Sequence, residues 1–200
     1  MSDHPGTPED VAEGPVRITV EGKVPDVTAA LYWTLYRETF GALETRAAAR
    51  QLLHEEEFLE EMSDPRVDKY VAWLGDEVVG MSTLTAHLET VPWISPGYFA
   101  HRYPEHTARE AVYYLGFTLV HRHHRQAQIF RIMVERIVEL LVERRAVCAW
   151  DICAFNDEVI GLGENIERII SARAQVTVAP IDRQTYYSAS FYGPLATDAP

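Results

Sequence analysis

The stretch "LVHRHHRQAQIF", residues 119–130, decides how this chain is read. A strand-like end passes into six residues, of which five are His or Arg, and then into the start of an apolar stripe. Ile129, Met133, Ile137 and Leu141 recur at helical spacing, with Phe130, Val134 and Val138 beside them, so residues 126–144 are predicted to form an amphipathic helix. A strand, a basic loop and a helix N-terminus in that order have the layout of an anion cradle, because the first amides of a helix lack partners and its dipole attracts negative charge. The glycines that normally let a backbone approach an anion are missing.

Working outward, "AVYYLGFTLV" (111–120) reads as the strand feeding the loop, and the nearly all-apolar "AVCAWDICAF" (146–155) as a strand buried on both faces. "DKYVAWLGDEVVGMSTLTA" (68–86) is a hairpin around Gly75-Asp76, a pair suited to a two-residue turn. Ahead of it lie the strand "VRITVEG", a helix through residues 27–40 with Asp26 as cap and Val27, Leu31, Leu35 and Tyr36 as its stripe, and a helix over residues 45–62. Glu55, Glu56, Glu57, Glu60 and Glu61 of that helix read as a solvated face. Residues 87–110, rich in Pro and aromatic side chains, read as a lid near the 121–125 loop. A short helix from Glu164 and a last strand pair, "QVTVAPI" and "TYYSASFYG", close the ordered chain.

Composition narrows the function. Thirty acidic against eighteen basic residues give a formal charge of −12, which repels nucleic acid and anionic membrane. No apolar run approaches the ~20 residues of a membrane span, and the polar, acidic N-terminus lacks the apolar core of a secretory signal. A cytoplasmic protein is therefore expected, with residues 1–14 a disordered acidic tail, 15–192 one domain and 193–200 a flexible tail. Cys148 and Cys153, five apart on one strand, point to opposite faces and read as free thiols.

The element order and two local matches, "WLGDEVVGMSTL" and "LVHRHHRQAQIFRIMVERIVELLVERR", resemble the GCN5-related N-acetyltransferase (GNAT) superfamily over about residues 16–192. The resemblance implies an α/β (α+β) domain with a mixed, mostly antiparallel twisted sheet flanked by helices. It implies acetyl-CoA or another acyl-CoA as donor and an amino group of a small molecule as acceptor. In that family the loop runs Arg or Gln, two residues, Gly, one residue, Gly or Ala. Arg125 stands at the first position here, Gln128 at the first glycine and Phe130 at the second small position. The implied cofactor site is Leu119, Val120, His121, Arg122, Arg125, Gln126, Ala127 and Gln128, with guanidinium groups compensating for the missing glycines. The alternative is an exposed basic loop with Phe130 in the core stripe.

The family's frequent acid, a Tyr in the helix after the fifth strand, is absent, and Ser171 falls near its position. Substitutes are Asp151 as a buried carboxylate of raised pKa, Tyr114 as a hydroxyl on the strand before the loop, and Asn156 as a hydrogen-bonding group for pantetheine. Each has a packing reading as well. His121, His123 and His124 invite a metal, but the loop holds no Cys or carboxylate, so none is assigned. The aromatic residues 93–103 with Tyr32, Trp33 and Tyr36 suggest an aromatic or apolar small-molecule substrate, and a homodimer is kept open. The other class of function is a catalytically silent GNAT-like binding domain, or different chemistry on the same scaffold.

Overall fold

Strand β4 (Val112–Val120) is the axis on which the other elements are hung. In a computed structural model, which describes residues 14–124 and 128–193, five strands lie in the order β1-β2-β3-β4-β5. β1 (Arg17–Glu21), β2 (Val67–Leu74), β3 (Glu77–Thr85) and β4 pair antiparallel in succession, and β5 (Val147–Ala149) joins β4 in parallel. The β2–β3 turn carries Gly75 at φ +60°, the left-handed geometry that glycine adopts without strain. The result is a mixed, mostly antiparallel sheet in a single domain, flanked by helices.

Helix α1 (Asp26–Phe40) and helix α2 (Glu55–Ser63) cover one face. Tyr32, Leu35 and Tyr36 of α1 and Phe58 and Met62 of α2 pack on Val71, Met81 and Leu119 of the sheet. The expected stripe of α1 is displaced: Val27 and Leu31 are exposed, because the buried arc is set by the aromatic ring cluster of Trp33, Tyr36, Phe58 and Phe117. Pro25, not Asp26, is the N-cap. The helix expected over 45–62 begins only at Glu55, where the Glu57 carboxylate reaches back to the His54 N–H at 2.7 Å. Lys69 is fully buried and donates to the carbonyls of Gly22 (3.0 Å) and Asp64 (2.7 Å), tying the β1–α1 link to the end of α2.

Helix α5 (Ile129–Glu143) covers the opposite face and supplies the link between the parallel strands β4 and β5. Ile129 and Met133 pack on Ala72 and Val79, and Ile137 on Tyr70, Leu84 and Tyr113, as the apolar stripe requires. Helix α6 (Leu162–Ser171) leans on α5 through Ile169 against Val134 and Val138.

Three expectations are corrected. The fifth strand stops at Ala149 rather than running to Phe155, because Asp151 needs polar partners that a dry strand interior denies it. Residues 172–193 form no regular strand pair: Tyr187, Phe191 and Tyr192 are almost fully exposed, and Pro180 removes a ladder donor. The segment 87–110 is largely helical, with α3 (Pro96–Arg102) capped by Ser95 and α4 (Pro104–Ala108) following it. It packs through Leu88, Val91 and Phe99 on Val112, Tyr114 and Ala149, the end of β4 away from the 121–125 loop.

Gly80 marks how tightly α5 sits on the sheet. An added Cβ would lie 2.8 Å from Met133 Sδ, 3.0 Å from Leu119 O and 3.1 Å from Ile129 Cγ2. Gly80→Ala is expected to lower stability by roughly 1–3 kcal/mol through overpacking, measured by urea denaturation. An unchanged midpoint would mean that α5 is free to shift outward.

Candidate active site

β4 and β5 pair over three residues only, Val112 with Val147, Tyr113 with Cys148 and Tyr114 with Ala149. Beyond that point β4 runs on for six residues still paired with β3 but, among the described residues, with no strand on its β5 side, and the side chains at the fork meet. The Tyr114 hydroxyl donates to Asp151 Oδ1, and Trp93 Nε1 donates at 3.3 Å to both the Tyr114 oxygen and Asp151 Oδ1. Trp93 and Phe99 stand edge-on to the Tyr114 ring. Burial and then the Asp151 carboxylate push the Tyr114 phenol above its ordinary range, so it remains a proton donor. Asp151 itself is exposed, which corrects the expectation of a buried carboxylate. Nearby Cys148 is pushed up to about 12 by burial and stays a thiol.

A second carboxylate approaches from α2. Glu55, Glu56 and Glu60 face solvent and Glu57 pairs with Arg50, but Glu61 is turned inward to Thr83 and Gly116. Glu61, Thr83, Gly116, Trp93 and Tyr114 line one narrow cavity of about 20 Å³, the volume of a single water. Burial raises the Glu61 pKa, against the opposing pull of the neighbouring Thr83 hydroxyl and Lys69 ammonium. The Thr83 hydroxyl is buried with no hydrogen-bond partner among the described residues. Glu61 was missed in the sequence because five glutamates within the seven positions 55–61 look uniformly solvated; its spacing from Phe58, which is buried, was the available signal.

The loop after β4 is partly outside the described residues: Arg125, Gln126 and Ala127 lie there. The Leu119 side chain is buried in the α1–α2 core, and that of Val120 packs against the α5 cluster. His121 N–H donates to Val79 O, which makes Val120 and Gly80 a non-hydrogen-bonded pair. The backbone N–H and C=O of Val120 therefore point to the edge that β5 leaves open. Arg122, His123 and His124 form a short 3-10 turn, with Arg122 exposed. His121 is held below its ordinary pKa, first by burial and then by His123.

Gln128 has φ 57° and ψ 14°, a left-handed backbone, at the N-cap of α5. Glycine geometry is thus kept without glycine. The Phe130 ring joins Val134, Val138 and Ile169. Between the N-terminal end of α5 and α6 lies a cleft of about 400 Å³ lined by Gln128, Phe130, Arg131, Asn165, Arg168 and Ala172. Ser171 ends α6 as an exposed residue, and Asn156 lies in a π-helical turn (Phe155–Val159) rather than at a strand end. Among the described residues neither side chain makes a hydrogen bond to the Tyr114–Asp151 pair.

No protein-family model matches the chain, and no curated protein sequence matches it. Solved structures do. An aminoglycoside antibiotic 6'-N-acetyltransferase from Acinetobacter baumannii superposes with a TM-score of 0.52 at 11% identity, over 88% of this chain and 99% of that one. A ribosomal-protein-alanine N-acetyltransferase from Brucella melitensis biovar Abortus 2308 gives 0.50 at 13% identity, over 88% and 99%. An aminoglycoside acetyltransferase from an uncultured soil metagenomic sample, in complex with trehalose, gives 0.50 at 14% identity, over 88% and 97%. At these identities the likeness is one of fold.

The inward carboxylate has a measurable signature. Because folding raises the Glu61 pKa, its contribution to stability is present below the unfolded pKa and is lost as pH rises through the folded one. The stability of Glu61→Gln relative to the parent chain should therefore increase as pH rises upward from the ordinary carboxylate range. A difference that is flat with pH would mean Glu61 is solvated after all.

Proposed function

We propose that this chain, whose fold is that of the GCN5-related N-acetyltransferases, transfers an acyl group from acyl-coenzyme A to an amino group of a small molecule. The observation that carries the reading is the Tyr114–Asp151–Trp93 cluster, standing where β4 releases β5. From that cluster the open edge of β4 leads to the N-terminus of α5. The free backbone groups of Val120 suit the amides of a pantetheine arm, and the α5 amides with Arg122 suit its diphosphate. Arg131 and Arg168 in the cleft offer charge to the remaining phosphate. When bound, acyl-coenzyme A supplies an activated thioester.

Asp151, exposed at the mouth of the fork, draws in a cationic amine, helped by the chain's formal charge of −12. The half-exposed Trp93 ring beside it provides an aromatic face for the same cation. The bound ammonium first releases one proton to solvent; the neutral amine then attacks, and Asp151 takes the second proton from nitrogen as the C–N bond forms and the C–S bond breaks. Tyr114, hydrogen-bonded to Asp151, gives its proton to the departing thiolate and recovers one from the carboxylic acid. The net result is one proton released to solvent and one moved from amine to thiol, with both side chains restored. Glu61, at the inner end of the water-sized cavity, is a second proton acceptor for that relay.

Acetyl-CoA turnover against a panel of small primary amines tests the proposal. Tyr114→Phe should lower kcat by about 10²-fold or more with little change in KM, and Asp151→Asn should lower both kcat and the affinity for the amine. Turnover unaffected by both substitutions would remove the cluster from catalysis. No turnover, together with no acetyl-CoA binding by calorimetry, would favour a silent binding domain.

A further inference from the structure

The loop's histidines acquire in three dimensions the carboxylate that they lack in sequence. His121 and His124 are three apart across the 3-10 turn Arg122–His124, in which side chains at that spacing eclipse. The turn is closed by His124 N–H donating to His121 O at 2.9 Å, and the two rings lie 5.6 Å apart by their centroids. Glu77, the first residue of β3, comes to the same point because β3 runs antiparallel to β4, so that its start adjoins the end of β4. Its Oε1 is 3.1 Å from His124 Nε2. One ligand atom each from Glu77, His121 and His124 fall within 4.8 Å of one another.

We propose that Glu77, His121 and His124 form a site for a first-row divalent transition-metal ion, with Zn²⁺ as its representative. Two imidazoles and one carboxylate are a borderline-soft donor set of the kind that holds zinc with a coordination position left for water. Ligands of one tetrahedral zinc, each about 2.0–2.2 Å from the metal, stand about 3.3–3.5 Å from each other. The Glu77–His124 separation is close to that value, and the His121 ligand atom, within 4.8 Å of the other two, would complete the set by moving inward. Hard cations such as Mg²⁺ are disfavoured because imidazole provides two of the three donors. The bound ion would clamp the β2–β3 hairpin to the loop that leads into α5. This inference is independent of the acyl-transfer reading.

The test uses the tag-free chain stripped with EDTA. Zn²⁺ titrated by calorimetry should bind with a stoichiometry near one and raise Tm with concentration. Glu77→Gln, His121→Ala and His124→Ala, each checked for the parent circular dichroism spectrum, should each weaken Zn²⁺ at least about tenfold, since even outer partners of a metal site contribute that much. His87→Ala, which removes an exposed histidine beside Glu89, should bind as the parent does. Co²⁺ should give visible d–d absorption in the parent that is lost in His121→Ala. The proposal is overturned if the parent shows no saturable binding, or if the three cluster variants bind Zn²⁺ like the parent. The second outcome would reduce the cluster to a surface His124–Glu77 ion pair.

Discussion

Parallel pairing between β4 and β5 ends after three residues, and the arrangement of the rest of the molecule follows from where it ends. A sheet whose last strand continued would carry Asp151 into a dry ladder away from polar partners. Because β5 stops at Ala149, the chain turns back across the fork, and Asp151 meets the Tyr114 hydroxyl and the Trp93 indole. The same ending leaves an open stretch of β4 edge leading to the N-terminus of α5. A chemically equipped fork and a strand edge long enough for an extended ligand thus have one cause. The helical segment 96–108 and the preceding turn supply Trp93 and cover the closed end of the fork.

The N-cap of α5 adopts a backbone conformation usually left to glycine. Gln128 adopts a left-handed backbone that costs an L-residue on the order of 1 kcal/mol or more, and the surrounding packing holds it there. Ile129 immediately after it is fully buried against the sheet, which fixes the direction in which α5 starts. Phe130 points to α6 and so leaves the first amides of the helix uncovered by its ring. The left-handed backbone at Gln128 persists because tertiary packing on either side of the N-cap imposes it.

What could be read from the sequence was local. The α5 stripe from Ile129 to Leu141 and the Gly75-Asp76 hairpin carry their periodicity and turn chemistry within a few residues, and both stand where they were expected. Tyr114 and Asp151 were each singled out, but their contact spans thirty-seven positions and depends on where β5 ends, which no periodicity records. Glu61 was hidden because a helix face is defined by what packs on it: Phe58 and Met62 turn that side of α2 toward the sheet. Glu77 escaped notice for the same reason, since strand pairing alone carries it to His124. The alternating pattern after residue 174 reads as strand only where an edge exists to receive it, and residues 172–193 pair with none.

The central claim is that the open edge of β4 and the start of α5 receive coenzyme A. Amide chemical-shift mapping with coenzyme A tests it most directly. The account predicts saturable shifts at Val120, at Gln128 to Met133 and at the Trp93 indole N–H, with the α1 residues that line no part of the fork unchanged. Shifts confined to other surfaces, or none at millimolar coenzyme A, would contradict it.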